Sequence, residues 1–194
     1  MMGKAFSETE TVRIRHKLRS SCEALWGRYG YKKTSVSELC KMAGISTGAF
    51  YSFYPSKAML FLDTVDNYGD ELMSKIKDYL PENPTKRDLA KYLKMMAKDA
   101  KVKRWTLSYR EDYDMIRREL PDELLHERRH QDFVDMEKVL NTFGQKLLVG
   151  MGQFLAVITA VYLALCFQES IGMLADFDTV IEFLLDTAVE KMFE

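Results

Sequence analysis

Apolar positions recur at helical spacing along most of the chain, and no stretch keeps the two-residue alternation of a strand. Val12, Ile14, Leu18, Cys22, Leu25, Trp26 and Tyr29 form the first such series. Ser7 followed by Glu10 has the form of a capping box and opens this helix; Gly30 is placed to end it in a left-handed cap. Ser35 with Glu38 repeats the capping box, and Val36, Leu39 and Ala43 then face inward until Gly44. Ser46 caps a third, very short helix through about Tyr54, and Ser56 caps a fourth from Lys57 to about Leu80. Beyond the Pro-Glu-Asn-Pro break at 81–84, Thr85 with Asp88 opens a helix to about Lys103. Helices over 105–119 and from Asp122 to about Phe143 follow, divided at Leu120-Pro121. Two more are predicted over 151–171, apolar on most faces, and 178–193, striped with Val180, Ile181, Leu184, Leu185, Ala188 and Met192. The expected fold is all-α: a three-helix N-terminal module at 1–56 and a larger helical domain at 57–194.

Charge changes the picture in one respect. Net charge over the 194 residues is −1. Residues 1–60 hold ten Lys and Arg against four acids, a surplus of +6, so the remainder carries −7. This asymmetry points to an anionic partner for the N-terminal module, beside the plainer reading of a solvated basic face. Cys22, Cys40 and Cys166 lack metal-ligand spacing and fall on apolar helix faces, as buried thiols of a reducing cytoplasm do. No apolar signal core opens the chain. The longest apolar run, 154–167, is fourteen residues, short of the roughly twenty that span a bilayer. A cytoplasmic protein without membrane contact is expected.

The stretch AGISTGAFYSFYPSK at 43–57 carries the most chemistry. Gly44-Ile45-Ser46 gives two helices the spacing of a helix–turn–helix. The first turn of the second, Thr47-Gly48-Ala49, is nearly without bulk, so its backbone can approach a duplex and its amides can meet phosphate. Phe50 is expected inside and Tyr51 outside. The basic residues of the first helix and Lys32-Lys33 flank it as a phosphate footprint.

Residues 30–60, GYKKTSVSELCKMAGISTGAFYSFYPSKAML, resemble the DNA-binding signature of TetR/AcrR-type transcriptional regulators. The match rests on Gly30-Tyr31, Thr34-Ser35, Ala43-Gly44-Ile45-Ser46, Gly48, Tyr51, Ser56-Lys57 and Leu60. The resemblance implies that Ser35 and Ser37 touch phosphate or base edge. It places Thr47, Gly48, Tyr51 and Ser52 in the major groove and has Lys57 hold the DNA backbone. One position departs: the family often has a polar aromatic or His at 53 and Phe at 54, where this chain has Phe53 and Tyr54.

Binding of two half-sites implies a twofold dimer and a pseudo-palindromic double-stranded operator. The surface expected for the homodimer is the last two helices, with Phe154, Tyr162, Ile181, Leu184, Leu185 and Ala188; the resemblance implies a four-helix bundle there. Trp105, Tyr109 and Tyr113 lie at i, i+4, i+8 on one helix face. With Phe133 and Phe143 they are the expected lining for a small, largely apolar effector, core being the other reading. His126-Glu127-Arg128-Arg129-His130 fits the zinc-hydrolase helix motif, yet only three His exist and two Arg stand between the pair. The reading is a non-enzymatic, cofactor-free, ligand-responsive repressor. The alternatives are a constitutive DNA binder without effector and a metal-dependent hydrolase using His126, Glu127 and His130.

Overall fold

A computed structural model describes residues 6–102 and 112–194. Among them every regular element is helical, and the one β-bridge joins Leu147 to Phe193. The helices are α1 (Glu8–Lys33), α2 (Val36–Ala43), α3 (Thr47–Phe50), α4 (Lys57–Tyr79) and α5 (Lys86–Val102). They continue as α6, described over 112–118, α7 (Asp122–Phe143), α8 (Met151–Leu165), α9 (Gln168–Gly172) and α10 (Phe177–Met192). The chain divides into two compact units. One comprises Met1–Gly69 with Arg104–Leu120; the other comprises Asp70–Lys103 with Pro121–Glu194.

The expected starts hold because the caps form. Ser7 accepts from Glu10 N while Glu10 accepts from Ser7 N, and Ser35 and Glu38 repeat the exchange. Ser46 accepts from Ala49 N, Ser56 from Met59 N. Thr85 donates to Asp88 at the head of α5. Each bond satisfies amides that the first helical turn leaves open. Gly30, at φ +75°, breaks α1 before a last turn at 31–33, and Gly44, also at φ +75°, ends α2. Both conformations are cheap only without a Cβ.

The third helix and the helix expected over 151–171 depart most from the sequence expectation. The third helix is α-helical only to Phe50; Ser52 N and Phe53 N then bond three residues back, to Ala49 and Phe50, as a tighter turn. The helix expected over 151–171 is two. Cys166 N and Phe167 N also bond three residues back, closing α8 before α9 begins.

The first unit is packed around Leu18, Cys22 and Trp26 of α1, Leu39 of α2, Phe50 of α3, and Leu60 and Phe61 of α4. The Phe61 ring lies 4.5 Å from Trp26 and 4.7 Å, edge-on, from Tyr31. In the second unit, α5 packs on α10, with Leu89, Tyr92 and Leu93 meeting a core that includes Phe154, Leu185 and Phe193. Lys86–Glu190 (3.1 Å) and Lys94–Asp186 (2.7 Å) tie the same two helices at the surface. Leu148 N donates to Met192 O and Glu194 N to Lys146 O, fastening the end of α10 to the loop before α8.

Candidate nucleic-acid interface

The α2–turn–α3 segment stands on a framework that its own residues only partly supply. Phe50 is wholly buried, whereas Thr47, Gly48, Tyr51 and Ser52 are exposed, Tyr51 at 58%. Ser37 is exposed on the first turn of α2. These five present a shallow polar surface with one aromatic ring. Small side chains let backbone approach a duplex, and a tyrosine hydroxyl both donates and accepts. Arg13, Lys17, Lys32, Lys33 and Lys41 are also exposed in this unit, cations free to lie along phosphates.

Two of the expected contact residues have their donors engaged within the fold. The Ser35 hydroxyl donates to Glu38 (2.7 Å) and accepts from Glu38 N (3.2 Å). These bonds from Ser35 also hold the Glu38 carboxyl below its usual pKa. Lys57 Nζ donates to Tyr31 O (2.9 Å) and Thr34 O (3.1 Å) and sits 3.8 Å from the Tyr31 ring centroid. Burial lowers the Lys57 pKa, against the raising influence of Glu119 and Asp112. One donor of three remains to Lys57 for an outside partner.

The unusual Phe53-Tyr54 pair is interior. Phe53 is buried and its carbonyl accepts from Arg15 (3.1 Å). The Tyr54 ring is buried beneath the Arg15 guanidinium, 5.0 Å from its centroid. Its hydroxyl donates to Asp63 Oδ2, which also accepts from Arg19 at 3.2 Å. Burial and the Asp63 contact push the Tyr54 pKa up. A hydroxyl so placed is a strut for the turn that follows α3.

Asp112 of α6 belongs to this unit and is the support least visible beforehand. Its Oδ2 accepts from the Trp26 indole (2.7 Å) and from Tyr31 N (2.8 Å), just past the Gly30 break. The Tyr31 hydroxyl donates to Glu119 (2.6 Å). These partners are 81 to 88 positions apart in sequence. No local pattern announces them, except that a buried Trp needs an acceptor.

Of the expected effector lining, the structure describes the side chains of Tyr113 and Phe143. Trp105 and Tyr109 lie outside the described residues, as does the side chain of Phe133. Tyr113 is in the first unit, 41% exposed, whereas Phe143 is in the second, buried 5.9 Å from the Tyr92 ring centroid. His126, Glu127 and His130 are exposed on α7, and the described residues bring no set of three His, Cys, Asp or Glu together as a metal site.

The residues of the expected dimer stripe differ in burial. Phe154, Ile181, Leu185 and Ala188 are buried by their own chain, so they pack this unit's core. The Tyr162 hydroxyl is likewise enclosed. Of the six, Leu184 is open, at 38%. The apolar side chains that α8, α9 and α10 and their joints leave uncovered are Leu163, Phe167, Met173, Leu174, Phe183 and Leu184. On α8 this outer line runs through Gly152, Ala156, Ala160 and Leu163, small residues at helical spacing.

A helix–turn–helix with small exposed residues and cations in the same unit is the arrangement of a DNA-binding module. Residues 20–64 match the family described as bacterial regulatory proteins, tetR family. The HTH-type transcriptional regulator YuxN of Bacillus subtilis (strain 168) is 42% identical over 52 residues, 27% of this chain and 18% of that one. Among solved structures, a TetR family transcription regulator from Marinobacter aquaeolei VT8 has TM-score 0.69 at 16% identity, covering 97% of this chain and 100% of its own. FadR from Thermus thermophilus, a TetR family transcriptional repressor in complex with lauroyl-CoA, has TM-score 0.63 at 16% identity, covering 91% and 93%. Residues 20–64 thus match the DNA-binding module of the tetR family, and the chain shares its all-helical fold with these solved structures. No described helix is long and apolar enough to cross a membrane.

Proposed function

We propose that the chain is a cytoplasmic homodimeric repressor, bound to a pseudo-palindromic operator and released by a small, largely apolar ligand. The observation that carries the DNA-binding half is the split between Phe50 and its neighbours. One buried ring fixes α3, while Thr47, Gly48, Tyr51 and Ser52 are turned out with no bulk but a tyrosine. In this reading Ser37 and those four residues meet the duplex, while Ser35 and Lys57 hold the framework and add a backbone contact at most. The DNA-binding domain is 1–56 and the effector and dimerisation domain 57–194.

The second copy is proposed to cover the outer line of α8 and α10. Leu163, Phe183 and Leu184 are too exposed for a lone chain's surface, and the small residues of α8 permit close helix contact. A ligand that binds the dimer better in one spacing of its two heads shifts the population away from the operator-bound form, through α4, which contributes to both units. The lauroyl-CoA held by the Thermus FadR supports an acyl-type ligand as the first candidate.

Selection from random duplexes should return a pseudo-palindrome. Tyr51→Ala should weaken its binding by roughly 1–3 kcal/mol with an unchanged fold, the scale of one lost contact in such an interface. Undiminished affinity in that variant refutes the placement of the recognition surface.

A further inference from the structure

One buried hydroxyl in the second unit has no partner. Tyr162 Oη, on α8, is fully enclosed and makes no hydrogen bond. Buried polar groups are paired almost without exception, and an orphan is a cost the fold tolerates for a reason. Polar groups lie near it. Tyr92 and Asp99 of α5 lie close enough to act on the Tyr162 phenol, and Asp99 pairs with Lys75 of α4 at 3.4 Å. Tyr92 donates its own hydroxyl to Leu72 O (3.2 Å). Tyr92 and α5 also bring apolar, adaptable side chains into the same unit. The Phe143 ring stands 5.9 Å from that of Tyr92. Met95 and Met96, half-buried, lie between Tyr92 and Asp99 on α5, and methionine repacks readily around varied shapes.

We propose that Tyr162 is the polar anchor of a ligand site in this unit, and that the site takes an uncharged carbonyl oxygen carried on an apolar body. The donor and acceptor roles follow from the setting. Burial, with Tyr92 and Asp99 adding to it, pushes the Tyr162 pKa up, so the hydroxyl keeps its proton and donates. A ligand carboxylate would bring a second negative charge beside Asp99, whereas a neutral carbonyl accepts without that repulsion. The apolar body is accommodated by repacking of Met95 and Met96 on α5. This inference rests on the reading of the chain as effector-responsive and names the group the effector must carry.

The test uses the full-length protein and three probes of one chain length: methyl decanoate, decane and decanoate. Binding is followed by calorimetry and thermal shift, for wild type and Tyr162→Phe. Wild type should bind the ester more tightly than either the hydrocarbon or the carboxylate. Tyr162→Phe should weaken the ester by roughly tenfold, one hydrogen bond, and leave decane unchanged. Without ligand, the variant should melt no lower than wild type, because the deleted hydroxyl has no bond to lose. Equal ester affinity in the two proteins overturns the proposal. So does decanoate binding as tightly as its ester, absence of ester binding to wild type, or a lower melting point of the free variant. Operator release is measured separately. A probe that releases DNA but ignores Tyr162→Phe sinks the anchor and leaves the effector reading standing; a probe held by Tyr162 that leaves DNA bound does the reverse.

Discussion

Replacing Asp112 with Ala removes the shared acceptor of two buried donors, the Trp26 indole N–H and the Tyr31 backbone N–H. Asp112 is 6% exposed and Trp26 is wholly buried, so water does not replace the carboxylate without opening the core. Each bond to a charged acceptor contributes about 1.5–3 kcal/mol, which puts the cost of Asp112→Ala at roughly 3–6 kcal/mol. Asp112→Asn keeps an oxygen of the same reach but loses the charge, for about 1–2 kcal/mol. The assay is urea unfolding followed by tryptophan emission in a Trp105→Phe background, where Trp26 is the sole indole left. The wild-type curve should show Trp26 in a bonded, apolar environment. Asp112→Ala should shift both the midpoint and the native emission, and Asp112→Asn should fall between. A loss below about 1 kcal/mol for Asp112→Ala, or an Asn variant as damaged as the Ala variant, refutes the reasoning that this carboxylate is a principal support of the first unit.

At the outer face, Leu184→Glu should leave a folded chain that sediments as monomer and loses operator affinity. Leu185→Glu, at a position with no exposure, should instead abolish folding, and a stable dimer in Leu184→Glu rejects the proposed interface. A third expectation concerns acid. Side-chain and backbone bonds from Thr85, with a side-chain bond from Lys91, bring the Asp88 pKa down to about 2 from an ordinary 3.8. A depressed carboxylate contributes stability above its unfolded value and loses it as pH falls through the folded one. The α5 cap should therefore weaken between about pH 4 and pH 2, and Asp88→Asn should flatten that part of a circular-dichroism acid titration.

What the sequence made legible was local. Ser7, Ser35, Ser46 and Ser56 announce helix starts because each cap is completed within three residues. The inward Phe50 and outward Tyr51 follow from helix geometry alone. What stayed hidden depends on distant partners. Nothing near Trp26 says that its acceptor is Asp112, and nothing near Tyr54 says that its hydroxyl reaches Asp63 across a turn. Helix α10 shows a further limit. Apolar residues occupy more than one of its faces, and periodicity does not tell which face meets the same chain. The structure assigns Ile181, Leu185 and Ala188 to the interior and leaves Val180, Phe183 and Leu184 outside or partly so. For Lys57, position in the motif suggested an outward cation, while the carbonyls of Tyr31 and Thr34 claim two of its donors.

Those two carbonyls have a consequence for how such a protein changes over generations. Lys57 joins the end of α1, the entry to α2 and the start of α4 at a single ammonium, and Arg15 and Asp63 brace the turn after α3 from beneath. The scaffold is thus held by residues other than the ones it displays. Thr47, Gly48, Tyr51 and Ser52 have buried neighbours but are not themselves buried. Substitution at these four positions rewrites the displayed surface while the braces beneath it stay as they are. On the proposed reading of these residues as the DNA-facing surface, sequence preference is free to drift from one operator to another through folded intermediates, one exposed side chain at a time.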